Sequence, residues 1–221
     1  MLTPTQKELL KATIEDNTTY RQTVDKNLFD QYANGQDPQI TLVTCADSRI
    51  PAYAIKTNTE NQVFSIENIG NQIKTSEGSV DYGVLHLKTP LLLILGHTDC
   101  GAIKAVQGSY QNETEGIKRE LDTLKASIYN SLVQKTLSTD ELAELNVDSQ
   151  VNLAMEKYKS QVENSELVVA GMMMDITGGY EGPAGSVYLT NLNGVKQFEE
   201  LKKLGGQELE QTIQRITDYG K

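Results

Sequence analysis

Cys45, His97 and Cys100 are the residues of this chain best equipped for chemistry, and each stands just past an apolar segment. Cys45 closes Gln39–Cys45 (Gln-Ile-Thr-Leu-Val-Thr-Cys) and is followed by Ala46-Asp47-Ser48-Arg49. His97 and Cys100 follow Pro-Leu-Leu-Leu-Ile-Leu-Gly, residues 90–96. Two thiolates and one imidazole make a Cys2His set, and three protein ligands with a fourth position open is the pattern of catalytic zinc. A structural disulfide and a pair of buried free thiols are the blander readings of the same cysteines. His97 with Cys100 also suggests a cysteine-protease-like pair, although no third residue stands ready to orient the base. Spacing alone leaves these readings open. Asp47 and Arg49 form either a surface ion pair worth at most about 1 kcal/mol or a pair in which Arg49 holds Asp47 towards a metal-bound hydroxide.

The elements that would position these groups can be read from the hydrophobic pattern. Leu91–Leu95 is an uninterrupted apolar run, as expected of a strand buried on both faces in a parallel sheet. Gln39–Cys45 is rich in β-branched and apolar residues and predicts a neighbouring strand. Ligands of open α/β sheets bind beyond the carboxyl ends of the strands, which is where both segments deliver their cysteines. Gln62–Ile66 predicts another strand, and a helix is expected from Ser76 to about Lys88. The order strand, helix, strand favours an α/β fold with a mostly parallel central sheet flanked by helices. Gly101 to about Val106 predicts a helix whose amino end faces the candidate site. Glu166–Met174 predicts a further strand and Ser186–Thr190 an edge strand, with 177–183 a glycine-rich turn.

Residues 3–30 predict one helix opened by Thr3-Pro4. Residues 112–160 predict two or three helices in a polar, peripheral excursion spanning 107–160, and two helices at about 194–204 and 207–218 close the chain. Met172-Met173-Met174 reads as core packing, His86 as a structural histidine, and Asp99 as polar loop filler.

Composition sets outer bounds. The 221 residues, 38% hydrophobic and 23% charged, suit a single globular domain over 1–221 with an N-terminal helical arm over 1–35. A net charge of −10 argues against nucleic acid or an anionic membrane as partner. No secretory leader or run of about 18 apolar residues is evident, so a cytoplasmic location is expected.

Cys45-Ala46-Asp47-Ser48-Arg49 together with Gly96-His97-Thr98-Asp99-Cys100-Gly101 resembles the paired C-x-D-x-R and H-x-x-C-G signatures of the β-class carbonic anhydrases. The likeness covers about residues 39–107, including 66–71 and 78–88, and resumes weakly at 146–151 and 169–175. It implies an α/β fold, an N-terminal arm embracing a second subunit, and a homodimer as the minimal unit. It also implies one zinc ion per subunit on Cys45, His97 and Cys100, with Asp47 and Arg49 as the catalytic pair. The implied reaction is reversible hydration of carbon dioxide to bicarbonate by a zinc-bound hydroxide. The metal would bring the water's pKa to about 7, for which carbonic anhydrase is the type example, or somewhat higher with two thiolates as donors. The backbone N–H of Gly101 is the expected donor to a substrate oxygen. Some family members carry a tryptophan at the place of Leu42 and an arginine at that of Glu67. These replacements imply that the bicarbonate inhibition site of such members is missing here. A carbonyl sulfide or carbon disulfide hydrolase on the same fold is one alternative, and a non-catalytic zinc-binding oligomeric protein is another.

Overall fold

The computed structural model describes residues 1–134, 137–180, 182–197, 199–201 and 203–204. Two compact units divide the chain, Met1–Gln36 and Asp37 onward.

The first unit holds helix α1, Pro4–Thr23, and a short helix α2, Leu28–Gln31. Thr3 and Gln6 form a capping box at the start of α1, each side chain accepting from the other's backbone N–H. The single helix expected over 3–30 is interrupted: Val24 turns extended, and Asp25 accepts the Asn27 N–H through its side chain. A short aspartate that bonds to the backbone two residues on favours a turn over a continued helix. No residue of α1 is buried, and Leu9, Leu10 and Ile14 are exposed.

The second unit is built on a five-stranded sheet. Its strands are β1 Ile40–Cys45, β2 Val63–Asn68, β3 Leu91–His97, β4 Val168–Met174 and β5 Val187–Leu192. They lie in the order β2-β1-β3-β4-β5, all parallel except β5, which runs antiparallel to β4 as the edge. The fold expected from the sequence, a mostly parallel sheet flanked by helices, is therefore the one observed. Strand β3 is buried on both faces. Leu92 and Ile94 join the large cluster under the helices, while Leu93 and Leu95 join a smaller one with Leu42, Ile50 and Met174. Each such buried leucine contributes about 1.5–3 kcal/mol of transfer free energy.

The helices depart from expectation in two places. Residues 76–88 do not form one α-helix: Glu77–Asp81 is helix α3, and Tyr82–His86 widens into a π-turn. A Cβ at Gly83 would collide with the side chain of Thr41, so glycine allows this segment to close onto β1. Downstream come α4 Gly101–Gln107, α5 Glu115–Gln134, α6 Thr139–Lys157 and α7 Lys159–Glu163. Helix α6 is not peripheral. Leu142, Ala143, Val147, Val151 and Ala154 are buried on it, and Val147 occupies the space a Cβ would need at Gly96 of β3 and Gly171 of β4. Its buried polar residues escaped the hydrophobic pattern because they bond to one another and to backbone. Asn146 Nδ2 donates to Gly70 O at 2.9 Å, and Gln150 Oε1 accepts from Ile73 N–H at 3.0 Å.

Met173 and Met174 are core residues. After β5 the chain turns at Leu192–Val195, residues 194–197 do not form the helix expected there, and the next described residues, 199–201, are helical. The helix expected at 207–218 lies outside the described residues.

Candidate metal and active site

Parallel pairing of β1 with β3 brings Thr44 level with Leu95, so Cys45 leaves the sheet beside the carboxyl end of β3. His97 is the last residue of β3, and Cys100 lies just before α4. The sulfur atoms of Cys45 and Cys100 and one ring nitrogen of His97 lie within 4.8 Å of one another, with all three residues buried. Neither cysteine is in a disulfide.

Hydrogen bonding selects the histidine tautomer. His97 Nδ1 is 2.8 Å from the carbonyl oxygen of Thr98, which can only accept, so Nδ1 carries the hydrogen. That leaves Nε2 with a lone pair, and it is buried with no hydrogen-bond partner among the described residues. An unpartnered buried ring nitrogen facing two sulfurs is costly unless a cation takes its lone pair.

The thiols are arranged to lose protons to such a cation. A hydrogen bond from Cys100 holds Cys45 down to about 4 against the opposing effect of burial, with His97 and the Gly70 backbone N–H assisting. Cys100 is pushed well above the usual thiol range by that same bond, by burial and by the Cys45 charge. The backbone N–H groups of Ala102 and Ile103, in the first turn of α4, pull it partly back. His97 is disfavoured as a cation by burial, but the Cys45 sulfur beside it more than offsets this and raises its pKa. One proton shared between two sulfurs is what a divalent cation displaces.

Asp47 and Arg49 lie beside this cluster. Arg49 Nε and Nη2 reach the two Asp47 oxygens at 2.9 and 2.7 Å, and the Arg49 N–H adds a bond of 3.0 Å. This fork holds the Asp47 carboxyl far below the ordinary carboxylate range. Asp47 Oδ2 stands 4.0 Å from His97 Nε2, too far for a hydrogen bond but close enough to border the same space. Gly101 is exposed at the start of α4, and a Cβ there would meet no atom within 4 Å, so packing does not demand glycine at that position.

A family model described as carbonic anhydrase matches residues 40–180, the segment that contains all of these groups. The chain belongs to the β-carbonic anhydrase family. Among relatives of this carbonic anhydrase fold, a carbonic anhydrase of Synechococcus elongatus is 30% identical over 171 residues, covering 70% of this chain and 62% of that protein. One from Candida albicans is 30% identical over 169 residues, covering 69% and 58%. The chain thus spans about three fifths of the length of these curated relatives. A β-carbonic anhydrase of the fungal pathogen Aspergillus fumigatus superposes with a TM-score of 0.70 at 26% identity, covering 93% of this chain and 99% of that one. A tetrameric β-carbonic anhydrase of Sordaria macrospora has a TM-score of 0.69 at 23% identity, over 85% and 97%, and shares the fold.

Within this family member, the positions singled out from sequence fall in two places. Cys45, Asp47, Arg49, His97, Cys100 and Gly101 come together at the carboxyl end of β1 and β3. His86 is exposed and stacks on Tyr82 with ring centroids 4.5 Å apart. Leu42 is fully buried, and Glu67 is exposed on the edge strand β2. Sequence reasoning underrated Asp99, whose carboxylate meets both Arg49 and Lys104. It also missed Asp175. This buried carboxylate accepts from Thr98 Oγ1 at 3.2 Å and from the backbone N–H groups of Thr177, Gly178 and Tyr180 at 2.9–3.0 Å. Those bonds outweigh burial and hold Asp175 below its usual value. The pattern Asp-x-Thr-Gly at 175–178 was the available signal, since a short acid before a glycine turn bonds to the turn's backbone.

Proposed function

We propose that this chain is a zinc enzyme that hydrates carbon dioxide reversibly to bicarbonate, with one zinc ion per subunit on Cys45, His97 and Cys100. The observation that carries the reading is the buried trio with its unpartnered Nε2, set beside an arginine-held carboxylate in a member of this family. Two sulfurs and an imidazole favour zinc over the hard cations that oxygen donors bind. When bound, the cation would supply Lewis acidity, bringing the pKa of a water from 15.7 to about 7 and so making hydroxide available at neutral pH.

The chain's own residues then set direction. Arg49 keeps Asp47 ionised, so Asp47 acts as an acceptor of a hydrogen bond and not as a carrier of the proton. By accepting the hydrogen of the attacking hydroxide it would turn a lone pair towards the carbon of carbon dioxide. As the new C–O bond formed, a C=O π pair of carbon dioxide would move onto its oxygen, and the Gly101 N–H would donate to that oxygen. A proton lost from the next water would pass to buffer. His97 is kept in the liganding tautomer by Thr98 O.

A homodimer or higher homo-oligomer is proposed as the working unit, with the capped helix of the first unit embracing a second subunit. Its exposed Leu9, Leu10 and Ile14 support that role. Two unpaired thiols suit a reducing compartment, which supports a cytoplasmic location. The test is metal analysis together with stopped-flow hydration of carbon dioxide at about pH 8.5. One zinc per chain with strong acceleration is expected. Zinc-loaded protein that releases sulfide from carbonyl sulfide but leaves carbon dioxide untouched would overturn the reading.

A further inference from the structure

Asp99 lies between two candidate ligands, yet its contacts belong to a different group of side chains. Its Oδ2 accepts from Arg49 Nη1 at 3.2 Å, and its backbone oxygen is 3.4 Å from Arg49 Nη2. Its Oδ1 pairs with Lys104 Nζ on α4, and its N–H donates to Asp140 Oδ1, in the first turn of α6, at 2.7 Å. The residue itself is left-handed, with φ at 58°. Aspartate and asparagine tolerate that region because a short polar side chain can bond locally.

These contacts supply what the Asp47–Arg49 fork lacks. The fork joins two residues of one loop, two positions apart. The Arg49 side chain is 48% exposed, so its planar group would otherwise keep considerable freedom. Asp47 engages Nε and Nη2 only. Asp99 takes the remaining edge at Nη1, and so ties the loop after β1 to the turn between His97, at the end of β3, and Cys100. Lys104 and Asp140 in turn hold Asp99 from two helices.

We propose that Asp99 is a positioning residue that fixes the Arg49 guanidinium, and through it the Asp47 carboxylate, relative to the ligands on the β3 loop. Its bearing on turnover rests on the role proposed above for Asp47, whereas its bearing on Arg49 does not.

The test uses the full zinc-loaded chain labelled with 15N-arginine, which carries four arginines at 21, 49, 119 and 215. Solvent exchange of the Arg49 Nε–H is compared between the parent and Asp99→Asn, with Arg49→Lys identifying the signal. Asparagine keeps the size and the left-handed backbone, so the variant should fold. Exposed charge pairs are weak, so exchange at Arg49 should quicken by about fivefold in Asp99→Asn. The change in Lys104→Met should be smaller and in the same direction. In both variants kcat should fall while KM and zinc content hold. Unchanged exchange at Arg49, or an equal rise at Arg119, would overturn the proposal. A parent protein that hydrates no carbon dioxide would overturn the functional reading alone, and the exchange comparison would still decide the role of Asp99.

Discussion

Cys45, His97 and Cys100 are buried to 7, 0 and 2% exposure, whereas the Arg49 and Asp99 side chains a few ångströms away remain 48 and 36% exposed. The two groups are held by opposite means. In the buried trio, geometry is enforced by the cost of leaving the Nε2 lone pair unsatisfied away from bulk water. In the outer ring of Asp47, Arg49, Asp99 and Lys104, the Asp47 side chain is 18% exposed and the other three more so. Water competes with these charges, and orientation comes from several bonds on one planar group. The buried set is suited to grip a cation and the outer set to aim something at it. His97→Ala or Cys45→Ser should therefore have the largest effect, reducing zinc from one per chain to a trace in metal analysis after dialysis. Retention of stoichiometric zinc by either variant would break the contrast at its strong end.

Asp47→Ala probes the other side. It removes the acceptor but none of the trio, so zinc content should stay near one per chain while turnover falls by about 10²-fold, the scale for loss of a group that orients a reacting atom. Zinc loss equal to that of His97→Ala would mean that the two sets are not separate devices.

The buried set was readable from the sequence because a parallel strand covered on both faces needs an unbroken apolar run, and Leu91–Leu95 has one. His97 and Cys100 lie just past that run, whereas Cys45 ends a segment in which Thr41 and Thr44 are interspersed with apolar residues. The outer ring was only half readable. Asp47 and Arg49 are neighbours in sequence and Lys104 lies on the expected helix just after Asp99, but Asp140 reaches Asp99 from α6, whose placement no local pattern specifies. Helix α6 was misjudged for a related reason. Asn146, Asp148 and Gln150 look solvent-facing, yet Asp148 accepts from Asn191 Nδ2 at 2.7 Å and from Lys196 Nζ at 3.1 Å. Burial of polar residues is set by partners distant in sequence, which periodicity does not register. The π-turn at Tyr82–His86 depends likewise on the approach of Gly83 to Thr41.

Proton dependence sharpens the contrast further. Cys45, held near 4, is already a thiolate at neutral pH, whereas Cys100, pushed up by Cys45 and by burial, keeps its proton. Zinc must expel that proton, so affinity should rise with pH by about tenfold per unit between about pH 6 and 8. Chelator competition across that range would measure it. An affinity independent of pH would mean that no proton is displaced and that the shared-proton arrangement of the two sulfurs is wrong.

Salt gives the smallest expected effect and the most selective one. Between about 0.01 and 1 M ionic strength the screening length falls from about 30 to about 3 Å. Charges in the outer ring then lose part of their attraction, and Arg49 Nε–H exchange should quicken by no more than about fivefold. The trio is buried, so zinc content should move far less over the same range. Both quantities can be followed in one titration of one sample. A salt-insensitive Arg49 would mean that the forked hydrogen bonds, and not the charges of Asp47 and Asp99, hold the guanidinium. Salt-driven loss of zinc would show that solvent ions reach the trio and that its burial does not isolate it.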